Sequence, residues 1–162
     1  MARLFFRKVL ALAEWQGLVS DEHFSVDGTL IEAWTSMKSF VKKDGTTTPP
    51  EGGGRNSTVV FKGETRSNDT HQSTTDPDAR LYKKSEGDKS RLCYLGHALM
   101  ENRNGLAVDV ETTHASGTAE REAAKTMMDS LDQKKQATLG ADKWYDVHRF
   151  VQAVRDRGLP PT

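Results

Sequence analysis

The sequence predicts an α/β chain, a mixed (α+β) sheet with helices packed on it, and three observations lead there. Short β-prone runs bounded by turn residues occur at 23–26, 92–100, 106–112 and 137–141. Apolar residues recur at three- and four-residue spacings after Thr118 and after Asp146, as amphipathic helices require. The resulting order is strand, long insertion, strand, strand, helix, strand, helix, which fits helices layered on a mixed sheet.

Composition limits the core. The chain has 162 residues, enough for one domain, but only 35% are hydrophobic. With a mean hydropathy of -0.68, part of the chain is expected to be loop. The formal net charge is +0, so contact with a polyanion must come from local clusters of Lys and Arg rather than from a global field. Cys93 is the only cysteine, which excludes an intrachain disulfide and a multi-cysteine zinc site. His23, His71, His97, His114 and His148 are scattered without helical metal-ligand spacing. The N-terminus lacks the apolar run of a signal peptide, and no stretch approaches the roughly 20 apolar residues of a membrane span, so a cytoplasmic location is expected.

Taken in order, Arg3 to Gln16 places Phe5, Val9 and Leu12, and Phe6, Val9 and Ala13, at helical spacing, and Gly17 is a natural stop. No N-cap residue precedes this helix, which is expected to be the tail of a longer N-terminal helical region over 1–19. The first strand is His23 to Val26, with Asp27 at its end, and Leu30 to Phe40 is expected to continue as a short helix. From 42 to 90 the chain turns to Pro49-Pro50, Gly52-Gly53-Gly54 and many small polar residues, and it reads as a loop-rich insertion outside the core. Leu92 to Met100 and Leu106 to Thr112, joined by Asn102-Arg103-Asn104-Gly105, form an expected antiparallel hairpin. Thr118 caps a helix whose Glu120 and Glu122 suit its N-terminal dipole, with Ala119, Ala123, Ala124, Met127, Met128 and Leu131 as core packing. Ala137 to Ala141 then delivers Asp142, and Asp146 caps a last helix carrying Val147, Phe150, Val151 and Val154.

Chemistry concentrates on Asp27 and Asp142. Each ends a predicted strand where a carboxylate stands at a sheet rim. Hard cations such as Mg²⁺ take oxygen ligands, commonly one or two carboxylates plus substrate phosphate oxygens, so two rim aspartates far apart in sequence suggest phosphoryl chemistry. Turn capping is the commoner role of an aspartate beside glycine or before a helix. Asp109 reads as an exposed pleat residue and His97 as a core histidine. Lys38, Lys42, Lys43, Arg55, Lys62 and Arg66 outnumber Asp44, Glu51 and Glu64 around them, so the insertion is a candidate phosphate grip, with a solvated loop as the plain alternative.

Five stretches carry a family resemblance: Ser20 to Trp34, Arg66 to His71, Thr74 to Tyr82, Gly96 to Leu106, and Gly140-Ala141-Asp142-Lys143. Their sequence and order resemble the DDE transposases of bacterial insertion sequences, from the grouping of insertion-sequence families four and five. The resemblance implies a partial ribonuclease-H-like catalytic core over 20–41 and 91–162. It also implies Mg²⁺ as cofactor, with Mn²⁺ as a substitute. By resemblance Asp27 and Asp142 are the first and second catalytic aspartates, holding metal ions that activate the attacking water or 3′-hydroxyl and stabilise the leaving oxygen. The implied partner is DNA at the terminal inverted repeats of a mobile element, with a further copy or an intact transposase beside it. The family's third ligand, a glutamate in a Tyr-x-x-Arg-x-x-x-Glu pattern, does not occur in the sequence, so the chain is expected to be truncated at both ends and inactive alone. Trp144 stands where the family usually has glycine. The expectation is thus a transposase fragment. The alternatives are a DNA-binding fragment or inhibitor of an intact transposase, and a gene remnant.

Overall fold

The period-two run beginning at His23 does not stop at Asp27. In the computed structural model, which describes residues 1–43, 58–61, 63–131 and 137–159, strand β1 runs from His23 to Glu32 with Asp27 in its middle. Thr29, Leu30 and Ile31 are β-formers that prolong the alternation past Gly28. The backbone bonds Asn102 N–H to His23 O (2.9 Å) and Ala33 N–H to Leu92 O (2.9 Å) bracket an antiparallel partner along its whole length. The expected short helix after Leu30 is therefore absent: its first residues are strand, and Ala33 to Ser39 is loop.

Helix α1 (Ala2–Trp15) comes first. Met1 provides no side-chain cap, in line with its sequence. At its end Gly17, at φ 70°, donates to Glu14 O (3.0 Å) and Leu18 to Ala13 O (2.9 Å), the paired bonds that satisfy the last carbonyls of a helix. Phe6, Leu10 and Ala13 are half-buried, whereas Leu4, Phe5, Leu12 and Trp15 are exposed.

Within 42–90 the described residues are not loop alone, because short strands occur among them. Strand β2 (Phe40–Lys42) ends at the start of this segment, and β3 (Thr58–Phe61), β4 (Glu64–Ser67), β5 (His71–Ser73) and β6 (Arg80–Tyr82) lie within it, although Pro49-Pro50 and Gly52-Gly53-Gly54 lie outside the described residues. β2 pairs with β5 and β3 with β4, both antiparallel. β6 joins the main sheet against β7 (Arg91–Glu101), and Leu81 is fully buried. Three-residue strands are too short to show as an apolar alternation, so they escape a reading by period.

β7 and β8 (Leu106–His114) pair across the turn 102–105, where Gly105 takes φ 69°. Helix α2 (Ala119–Asp129) follows, with Ala123, Ala124, Met127 and Met128 buried as its spacing predicts. β9 (Thr138–Ala141) pairs in parallel with β1, a 3₁₀ turn spans Lys143–Tyr145, and helix α3 runs His148–Asp156. Asp146 does not cap α3. Val147 is its N-cap, without a side-chain bond, and Asp146 ends the preceding turn. The main sheet has the order β6-β7-β1-β9 with β8 on β7, so it is a mixed sheet as expected.

The chain divides into two compact units. One comprises Met1–Gly28, His97–Glu111 and Arg121–Thr162. Its core joins Phe24 and Val26 of β1, Leu99 of β7 and Leu139 of β9 to Met127 and Met128 of α2 and Phe150 and Val154 of α3. The other comprises Thr29–Gly96 and Thr112–Glu120. Phe40, Ala79, Leu81 and Leu92 form one of its clusters and Tyr82, Cys93, Leu95, Ala115 and Ala119 a second.

Candidate functional site

Both candidate aspartates belong to the first unit, and strand register brings them together. The parallel β1–β9 ladder pairs Phe24 with Leu139, Ser25 with Gly140 and Val26 with Ala141. Asp27 and Asp142 are the next residues on each strand. Phe24, Val26 and Leu139 face the buried core, so alternation turns Asp27 to the opposite face of the sheet. Asp142 keeps an extended backbone (φ -65°, ψ 158°), continuing the pleat by one residue before the 3₁₀ turn. Cα atoms side by side on neighbouring strands lie about 5 Å apart. Asp27 was expected at a strand end and is found inside a strand; Asp142 is at a strand end as expected.

Both carboxylates are solvent-exposed, and each accepts one bond from the amide that follows it: Gly28 N–H to Asp27 Oδ1 (2.7 Å) and Lys143 N–H to Asp142 Oδ1 (2.5 Å). These short-range bonds hold the side chains near their own backbone and use one oxygen of each. An open pocket of ≈ 240 Å³ lies against Asp142, walled by Leu139, Phe150 and Val154. Two exposed carboxylates, one within β1 and one directly after β9, offer the hard oxygen donors that fit Mg²⁺ or Mn²⁺. Among the described residues no group of three or more His, Cys, Asp or Glu side chains is placed to hold a metal ion.

The candidate phosphate-gripping residues lie in the second unit. Lys38 is exposed in the loop after β1. Lys43 donates through Nζ to Asn68 O (2.7 Å). Lys42 is half-buried in β2. Arg66 donates to the carbonyls of Met37 (2.8 Å) and Phe40 (2.6 Å), closing the loop that leads into β2. Arg55 and Lys62 lie outside the described residues.

Several residues of the motifs that carry the resemblance turn out to hold backbone in place. The Asn68 side chain pairs with β6 as a strand would, donating to Leu81 O (2.9 Å) and accepting from Leu81 N–H (2.7 Å). His71 is buried and stacks on Phe40. Asp76 accepts from the Tyr94 hydroxyl (2.6 Å), which with burial pushes the Tyr94 pKa up to about 12. Arg80 bonds Pro77 O (2.8 Å). His97 is buried, as expected of a core histidine, and burial lowers its pKa. Burial likewise pushes the Cys93 thiol up to about 11.

One carboxylate has no counterpart in the sequence reading. Glu101 is fully buried at the end of β7, accepting from the Ser20 hydroxyl (2.5 Å) and from the amides of Arg103 (2.6 Å) and Asn104 (2.9 Å). Burial alone would raise its pKa, but these donors outweigh burial and hold it below the ordinary carboxylate value. Its only sequence signal is an acid beginning a turn that exposes consecutive amides.

A family profile described as a transposase DDE domain matches residues 20–161. The chain belongs to the transposase DDE domain family. No curated protein and no solved structure matches it. The mixed sheet with its parallel β1–β9 pair is consistent with the ribonuclease-H-like architecture of transposase DDE domains. No helix among the described residues is long and apolar enough to cross a membrane.

Proposed function

We propose that this transposase DDE domain contributes Asp27 and Asp142 as metal ligands for cleavage and strand transfer of DNA at the ends of an insertion sequence. The observation that carries the reading is the β1–β9 register, which pairs Val26 with Ala141, the residues directly before the two aspartates. Mg²⁺ or Mn²⁺ bound there would lower the pKa of the attacking hydroxyl group and neutralise charge at the scissile phosphate. The chain's own part is to present two carboxylates to solvent, each with its orientation restrained by the next amide. Lys38, Lys42, Lys43, Arg55, Lys62 and Arg66 are proposed to contact phosphates, residues 42–90 to act as an insertion into the catalytic core, and the protein to act in the cytoplasm. Two of the three carboxylates that the resemblance implies are assigned.

Titrating Mn²⁺ and following its electron paramagnetic resonance signal tests the site. The wild-type chain is expected to bind Mn²⁺, Asp27→Asn and Asp142→Asn each to weaken it, and the double change to abolish it. Equal binding by the double variant sinks the proposal. A second reading, a DNA-binding fragment or inhibitor of an intact transposase, is favoured by the lack of a three-ligand group among the described residues. It predicts salt-dependent DNA binding that survives Asp27→Ala.

A further inference from the structure

The 3₁₀ turn after Asp142 is pinned at both ends. At its start the Asp142 carboxylate accepts from Lys143 N–H, and Tyr145 N–H donates to Asp142 O (2.9 Å). At its end Tyr145 is 3% exposed, with its ring 5.2 Å from that of Phe150 in the core. Between these anchors Trp144 is 73% exposed, and Arg121 donates to its carbonyl (3.3 Å). The core therefore fixes the backbone that carries the indole while leaving the ring in water. Leaving a large aromatic ring exposed forgoes the burial that aromatic residues ordinarily supply to a fold.

Two neighbours suggest what the ring meets. Asp142, two residues earlier, is a proposed ligand of the metal that receives the scissile phosphate; the inference rests on that reading. Lys143, between them in sequence, and Arg121, which donates to the Trp144 carbonyl, add two cations to this turn. In a polynucleotide each phosphate is flanked by bases, and an exposed aromatic ring among cations is the usual platform for a base in single-stranded nucleic acid. Trp15 and Trp34 are also exposed, so exposure alone decides nothing. Trp144 differs in standing on a core-anchored turn directly after the proposed ligand.

We infer that Trp144 is a stacking platform for an unpaired nucleobase next to the phosphate held at Asp27 and Asp142. Duplex DNA keeps its base faces covered, so the site selects DNA that is single-stranded or locally opened. The contact is sequence-tolerant because every base has a π-face.

The test uses the full chain carrying Trp15→Phe and Trp34→Phe, in which Trp144 is the remaining tryptophan. Its fluorescence is followed in Ca²⁺ as a single-stranded oligothymidylate is added, and again with an abasic oligomer of the same length and charge. Anisotropy of end-labelled oligomers reports binding separately. Quenching by the oligothymidylate but not by the abasic oligomer is expected. In the otherwise wild-type chain, Trp144→Gly is expected to raise the oligothymidylate Kd by about 5- to 150-fold and Trp144→Phe to retain most of the affinity. Binding with equal fluorescence for both oligomers overturns the stacking inference and leaves the proposed function standing. No binding of either oligomer overturns the inference and the DNA-binding reading together.

Discussion

Ser20 and Glu101 are 81 residues apart in sequence, and the hydrogen bond between them ties the segment before β1 to the end of β7. Glu101 has the environment of an N-terminal cap without a helix: a buried carboxylate meeting two successive turn amides and a hydroxyl. Its folded-state pKa lies below the unfolded value, so the ionised group stabilises the fold above the unfolded carboxylate pKa. That contribution is lost as pH falls through the folded pKa. Acid titration followed by circular dichroism is therefore expected to show Glu101→Gln losing part of the wild-type decline in stability below about pH 4.3. Ser20→Ala removes one donor from a buried charge and should cost about 1–3 kcal/mol at neutral pH, measured by urea unfolding. An unchanged midpoint would show that the hydroxyl contributes nothing. Asp27 and Asp142 contrast with Glu101 in being exposed: one acid is sealed by donors for structure, and two keep oxygen atoms available to solvent.

Helix ends and strand partners show where local sequence suffices. Helix α3 stops where Gly158 takes φ 71°, donating to Arg155 O (2.9 Å), while Leu159 donates to Val154 O (3.1 Å) and buries its side chain with Val154 in the core. A glycine just past an amphipathic run is a common helix stop, because it takes the left-handed conformation without a Cβ penalty. Gly158→Ala forces a side chain into left-handed backbone and should cost about 1–2 kcal/mol in thermal or urea denaturation; a neutral result would mean that the turn rearranges. The start of the same helix was misread, since Asp146 serves the preceding turn instead. β1 was also misread at its end: Gly28 looks like a breaker locally, but β7 supplies hydrogen-bond partners on both sides of it. β6 is the reverse case, a three-residue element whose place depends on β7 and on the Asn68 side chain.

At the scale of the whole molecule the two units carry separate cores, and truncating each should report separately. Leu99→Ala in the first and Leu81→Ala in the second, both at fully buried positions, should each cost about 2–5 kcal/mol. Hydrogen exchange should rise chiefly in Arg121–Asp129 and His148–Asp156 for Leu99→Ala, and in β5 and β6 for Leu81→Ala. Uniform acceleration in both variants would mean that the units open as one. The sequence by itself determined the mixed-sheet class, the order of the long strands and the amphipathic helices. Those features follow from side-chain periodicity and turn chemistry, which act over a few residues. It also singled out Asp27 and Asp142 by residue type and by family resemblance. Only the tertiary structure decided that they are neighbours, because parallel register is set by a pairing between residues more than a hundred positions apart. The same holds for the burial of Glu101, the strands within 42–90 and the exposure of Trp144. Each depends on which distant groups arrive to pair with a backbone or cover a ring, and no local pattern encodes that arrival.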